Sequence, residues 1–240
     1  MPKRKSEHDK SSAKRQCKVT PDTTAETIGA ESIDARQTPQ ERAKTISNSP
    51  SSEQSESKTT APPVEKTRLS IIEKTGDLFA VPEDSLIIHA CNTQGSWGAG
   101  IAKAFKTHYP SAFTSYNSFC KQQKTKGGLR GTALLIEPME NPSKEGKLRH
   151  FIGCLFTSEG KGRTKDPKAT ILKNTKPAME DLLKKVQVWN ADSSRAPKVG
   201  ELFMCKINSG LFGVPWEETR KVLEGIETTS EVIVTVMDRE

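Results

Sequence analysis

The chain has 240 residues, 33% of them hydrophobic and 28% charged, with 37 Lys+Arg against 30 Asp+Glu, a formal charge of +7 and a mean hydropathy of −0.63. That average is too polar for a chain packed throughout, so part of it is expected to lie outside any core. No apolar run approaches the ~20 residues that cross a bilayer, and no signal peptide is read at the start, so a membrane partner is excluded and the protein is expected to be intracellular, cytoplasmic or nuclear or both.

Segment 1–66 accounts for the polarity. It is rich in Ser, Thr, Glu, Gln, Lys and Pro, has no aromatic residue other than His8, and shows no sustained apolar period, which predicts a disordered tail. Two basic clusters, Lys3-Arg4-Lys5 and Lys14-Arg15, have the form of a nuclear import signal, although short basic clusters are equally common in plain solvated tails. Residues 67–240 are long enough for one domain with its own core.

Within that domain, strand-like and helix-like segments alternate. Residues 69–74 read as a strand, followed by a turn at Gly76-Asp77, and the continuous apolar run 86–91 has the character of a central strand. From Gly98, Ile101, Ala104, Phe105 and His108 recur at helical spacing; Pro110 closes or bends that helix before a second through Phe113, Tyr116 and Cys120. Strands are expected at 132–136 and 150–156. Met179, Leu182, Leu183 and Val186 form an amphipathic stripe on a helix that Pro177 either begins or kinks. A strand at 201–207 follows, then a helix with Pro215 at its start and Glu217 and Glu218 in its first turn, and a last strand at 231–237. The pattern predicts an α/β fold, a mixed central sheet with helices on both faces.

Two glycine-rich loops leave strand ends and enter helices: Asn92-Thr93-Gln94-Gly95-Ser96-Trp97-Gly98-Ala99-Gly100 and Asn208-Ser209-Gly210-Leu211-Phe212-Gly213. Glycine permits positive φ and carries no Cβ, so successive N–H groups can turn toward one anion, and a helix starting behind such a loop adds its own free N–H groups and partial positive charge. Neither loop is a Walker A or a G-x-G-x-x-G motif. Ligands of open α/β sheets sit beyond the carboxyl ends of strands, where both loops begin, so the two can grip a diphosphate between them. The five cysteines are widely spaced with no C-x-x-C pair and read as reduced, buried thiols rather than a metal or catalytic site. No metal and no cofactor is expected.

The segments Gly76-Asp77-Leu78-Phe79, His89-Ala90-Cys91-Asn92, Gly95-Ser96-Trp97-Gly98-Ala99-Gly100-Ile101-Ala102, Cys154-Leu155-Phe156-Thr157-Ser158 and Ile207-Asn208-Ser209-Gly210-Leu211-Phe212-Gly213 resemble, in this order, a macro domain of the fungal ADP-ribose 1''-phosphate phosphatase branch. The resemblance runs from about Arg68 to the end and implies a three-layer α/β/α fold. It also implies that Asp77, with Leu78 beside it, meets the adenine amino group. Asn92 would bond the hydroxyls of the distal ribose. Gly95, Ser96, Trp97, Gly98, Ala99, Gly100 and Ile101 would wrap that ribose and its phosphate; Ser209, Gly210, Leu211, Phe212 and Gly213 would cradle the diphosphate, with Trp97 and Phe212 closing apolar surface around the sugar.

Each residue has a plainer reading. Asp77 after glycine can simply cap a turn, Asn92 is a common turn residue, and Trp97 and Phe212 can be core aromatics. His89 shares a strand face with Ile87 and Cys91, where a satisfied buried histidine is ordinary, yet it precedes Asn92 closely enough to reach a terminal phosphate as general acid or donor.

A related branch that removes ADP-ribose from glutamate uses a lysine and an aspartate, whose places are taken here by Thr157 or Ser158 and by Phe212; a hydroxyl cannot stand in for a lysine nucleophile. The resemblance therefore implies metal-independent hydrolysis of ADP-ribose 1''-phosphate, a by-product of transfer RNA splicing. The alternative is a non-catalytic reader of ADP-ribose in the same pocket. Nucleic acid binding through basic segments 121–130 and 161–168 is a further reading, and these read better as solvated surface, so the expected partner is the small molecule and the protein a monomer.

Overall fold

The computed structural model describes residues 66–123, 128–140 and 149–239. The segment read as a tail, with both basic clusters and Cys17, lies outside the described residues except for Lys66. The described residues form strands β1 (Thr67–Arg68), β2 (Ser70–Thr75) and β3 (Leu86–Asn92), helices α1 (Gly100–His108) and α2 (Pro110–Gln123), strands β4 (Ala133–Ile136) and β5 (Phe151–Ser158), and helix α3 (Lys168–Ala191). Strand β6 (Leu202–Met204), helix α4 (Trp216–Glu224) and strands β7 (Glu227–Thr228) and β8 (Ile233–Asp238) complete the order. None of the described helices is long and apolar enough to cross a membrane.

Six strands form one mixed sheet in the order β2-β8-β6-β3-β5-β4, parallel except for β4, which runs antiparallel to β5. Strands β3 and β5 are buried along almost their whole length because helices cover both of their faces. Period-two alternation divides their side chains. Leu86, Ile88, Phe151 and Leu155 pack with Met179 and Leu182 of α3 and Leu223 of α4, whereas Ile87, Cys91, Cys154 and Phe156 pack on the other face with Phe105 of α1 and Tyr116 of α2. Burying each such side chain stabilises the fold by about 1.5–3 kcal/mol.

The expected order of elements is the observed one, with three differences. The strand expected at 201–207 narrows to β6, because its neighbours β3 and β8 pair with it only over Leu202–Met204; the chain then leaves the sheet at Cys205. Pro177 lies well inside α3 rather than at its start. The carbonyl deprived of an N–H partner there is that of Lys173, an exposed residue on the solvated side. Strands β1 and β7 pair antiparallel, Thr67 opposite Thr228 and Arg68 opposite Glu227; two polar residues apiece leave no alternation to read in sequence.

Candidate functional site

Strands β2, β8, β6, β3 and β5 run parallel, so their C-terminal ends share one edge of the sheet. From that edge emerge the turn at Asp77, a first loop (93–99), a second (205–215) and a third (159–167). The first follows β3, and the strands that feed the other two, β6 and β5, flank β3 on either side. The loops meet: a Cβ built on Gly100 would lie 3.4 Å from Leu211 Cδ1, and Lys165 of the third loop donates from Nζ to the Leu211 carbonyl at 2.8 Å.

The first loop is wound around Asn92. The Asn92 Oδ1 accepts the N–H groups of Gln94 (3.0 Å) and Ser96 (3.3 Å), and its Nδ2 donates to the Ser96 carbonyl at 2.7 Å. Helix α2 holds the loop from below, with Tyr116 donating its hydroxyl to the Asn92 carbonyl (2.5 Å) and Asn117 donating Nδ2 to the Gly95 carbonyl (2.8 Å). That closeness requires glycine at 95, where φ is +70° and a Cβ would fall 3.0 Å from Asn117 Nδ2. With these constraints met, the amides of Gly98, Ala99, Gly100, Ile101 and Ala102 have no acceptor among the described residues, Ala99 supplies no side-chain cap, and the first turn of α1 holds no acidic residue. The positive end of that helix dipole is therefore uncompensated.

The second loop is pinned at its base by Asn208, a buried residue with φ +64°, a region where Asn is among the few tolerated non-glycine residues. Its Oδ1 accepts the Thr157 hydroxyl at 2.9 Å and its Nδ2 donates to Thr175 Oγ1 at 3.0 Å. The Gly213 amide donates to Gly210 and that of Val214 to Asn208, closing the turn at 3.0 Å each. Left without an acceptor among the described residues are the amides of Gly210, Leu211 and Phe212. Helix α4 begins behind this loop with Glu217 and Glu218 in its first turn, which offset its own dipole. The two rows of amides thus lie on loops that meet at Gly100 and Leu211, and an anion bound between them would gain the dipole of α1 as well.

The macro domain family model matches residues 88–223, from β3 through the first loop, the second loop and most of α4. The chain belongs to the macro domain family. A relative from Aspergillus fumigatus named ADP-ribose 1''-phosphate phosphatase is 43% identical over 193 residues, covering 70% of this chain and 96% of the relative. One of the same name from Chaetomium globosum is 47% identical over 161 residues, covering 67% and 85%. Among solved structures, Thermosipho africanus DarTG in complex with ADP-ribose shares the fold at a TM-score of 0.53 and 16% identity, covering 70% of this chain and 41% of that one.

In this macro domain Asp77 caps the short helical turn Leu78–Ala80, its Oδ1 accepting the Phe79 amide at 3.0 Å. Its side chain remains 51% exposed, with Arg239 at 3.7 Å. The cap therefore leaves a carboxylate at the sheet edge rather than burying it, while Leu78 is buried in the core. Ile101, on the first turn of α1, is partly buried against the same core. Ser209 and Phe212 are partly buried, and Gly98, Ala99, Gly100, Gly210 and Leu211 are exposed around the crevice.

Asn92, expected to bond ribose hydroxyls, is buried with its side chain bound to its own loop, and Trp97 and His89, like Leu78, are sealed in the core rather than lining the site. Trp97 is 1% exposed, stacked on Tyr116 (centroids 4.9 Å apart) and in contact with His89, Phe105 and Phe113. Gly95 turns the chain so that the next large side chain drops beneath the loop, and a ring sealed there does not close over a sugar. His89 is fully buried, stacked on Phe105 at 4.0 Å with Cys91 Sγ against its nitrogens, so it presents neither nitrogen to the crevice.

Strand register brings together groups that sequence spacing hides. His89, Cys91 and Cys154 each place a donor atom within 4.8 Å of the others, because Cys154 on β5 is the register partner of His89. The three donors are sealed in the core, with Cys91 Sγ 3.4 Å from His89 Nε2 and 3.7 Å from Nδ1, and no fourth His, Cys or carboxylate joins them among the described residues, so the tetrahedral set of a structural zinc site is incomplete. Burial opposes ionisation of Cys91, but its contacts with Cys154 and His89 bring its pKa below the ordinary thiol value, while burial and Cys91 push Cys154 well above it. The cluster is a sealed polar patch of the core. Cys91, Cys120, Cys154 and Cys205 are all free thiols.

Proposed function

We propose that the chain hydrolyses the terminal phosphate of ADP-ribose 1''-phosphate, yielding ADP-ribose and inorganic phosphate. The observation that carries this reading is the meeting of two rows of unengaged main-chain amides over the positive end of α1, and the relatives named above supply the substrate. Water adds its oxygen and a proton across the bond to the terminal phosphate, and charge grows on the phosphate as that bond breaks. A fixed main-chain donor aimed at such charge lowers a barrier by about 2.7–4 kcal/mol. Nucleophilic removal of ADP-ribose from glutamate is not supported: Thr157 donates its hydroxyl to Asn208 and Ser158 donates to the Gly160 carbonyl, both buried, and neither offers a lysine's amine.

Incubating the purified chain with ADP-ribose 1''-phosphate and measuring inorganic phosphate tests the reading. Release well above a buffer control is expected. Asn92→Ala removes three hydrogen bonds that shape the first loop, and at about 1 kcal/mol net for each the loss of kcat/KM is about a hundredfold or a little more, with the protein still folded by circular dichroism. Retained ADP-ribose binding without phosphate release would make the domain a reader, an outcome consistent with the enclosure of His89.

A further inference from the structure

We propose that Lys165 is a specificity-determining residue, whose ammonium binds the terminal phosphate and thereby selects ADP-ribose 1''-phosphate over ADP-ribose; this rests on the hydrolytic reading above. Lys165 reaches from the third loop across the end of β3 to the second. Its Nζ donates to the Leu211 carbonyl at 2.8 Å and lies 3.2 Å from the position a Cβ on Gly213 would take. The ammonium thus sits on the second loop, whose residue Leu211 also approaches Gly100 at the start of α1 and whose amides at Gly210, Leu211 and Phe212 have no acceptor among the described residues.

Its charge has no counter-ion among the described residues. No carboxylate among the described residues pairs with Lys165, although two acidic groups share its loop: Glu159 and Asp166 are both approached by Arg130, at 3.6 and 3.7 Å, and Asp166 also accepts the Glu159 amide at 2.9 Å. Lys206, which enters the second loop, is bound to Asp238 and Glu73. Arg130 and Lys206 are thus paired with carboxylates, whereas Lys165 is held against a neutral carbonyl. An ammonium carries three donors, so two remain for phosphate oxygens when one stays on Leu211.

The loop is also wound to hold that position. Ser158 Oγ accepts the Asp166 amide at 3.0 Å and donates to the Gly160 carbonyl at 3.1 Å, and Thr164 Oγ1 donates to the Lys161 carbonyl at 2.9 Å. Main-chain amides are dipoles and serve the diphosphate of either ligand. The 1''-phosphate adds a doubly charged group, for which a full positive charge discriminates where dipoles do not.

The test compares Lys165→Gln and Lys165→Arg with the wild-type chain, measuring affinity for ADP-ribose and for ADP-ribose 1''-phosphate by calorimetry and phosphate release in parallel. Glutamine keeps a donor for Leu211 but no charge. Lys165→Gln should weaken binding and kcat/KM for the 1''-phosphate by about tenfold to a hundredfold, leave ADP-ribose affinity within about twofold, and be largely rescued by arginine. Equal losses for both ligands would reduce Lys165 to a strap on the second loop and overturn the proposal, as would no loss for either. If the wild-type chain releases no phosphate, the hydrolytic reading fails by itself, and the ratio of the two affinities still decides for or against Lys165.

Discussion

Gly210→Val is expected to reduce ADP-ribose affinity by about a hundredfold or more while leaving thermal stability unchanged. A Cβ at this position meets no protein atom within 4 Å, and Gly210 does not adopt a positive φ, so the fold accepts a branched side chain without strain. What the valine does obstruct is the approach to the amides of Gly210, Leu211 and Phe212, which have no acceptor among the described residues. A pyrophosphate pushed away by even about 1 Å loses the alignment of its donors, and misplacements of that size cost about 10²-fold in comparable sites. Calorimetry with ADP-ribose measures the effect, and unchanged affinity would show that the ligand does not lie against this turn.

Trp97→Ala is expected to destabilise the domain by about 3–5 kcal/mol. The indole is among the largest fully buried side chains, and it touches His89, Phe105, Phe113 and Tyr116, which join α1 and α2 to the central strands. Its Nε1 has no hydrogen-bond partner among the described residues. Trp97→Phe should therefore recover most of the stability, because packing rather than the N–H is what the residue contributes. Denaturant unfolding reads the difference. Had the indole closed over the sugar, the alanine variant would lose affinity at unchanged stability, and that outcome would reverse the assignment.

The contrast between these two residues marks what the sequence can and cannot disclose. Apolar runs such as 86–91 and the stripe at Met179, Leu182 and Leu183 announce the sheet and α3, because burial imposes a period on the chain. Glycine spacing locates both loops, and the parallel order of β6, β3 and β5 is what brings them together. Side-chain direction within a loop has no such period: nothing in Gly95-Ser96-Trp97-Gly98 says that the tryptophan turns inward while the flanking backbone stays exposed. Contacts distant in sequence are equally silent. Lys165 reads as one more surface lysine in a basic segment until β5 and β6 flank β3 and set it against Leu211, and the pairing of His89 with Cys154 exists only through strand register. Asn208 sits inside a recognisable motif, yet its role as the pin of the second loop depends on Thr157 and Thr175, supplied by β5 and α3.

The most direct measurement of the central claim is the amide spectrum of the isotope-labelled chain during titration with ADP-ribose. Binding by main-chain donors predicts that the largest proton and nitrogen shifts fall on Gly98, Ala99, Gly100, Ile101 and Ala102 and on Gly210, Leu211 and Phe212, both groups saturating at one ligand concentration. Shifts confined to other parts of the surface, or to only one of the two loops, would contradict a pyrophosphate held between them.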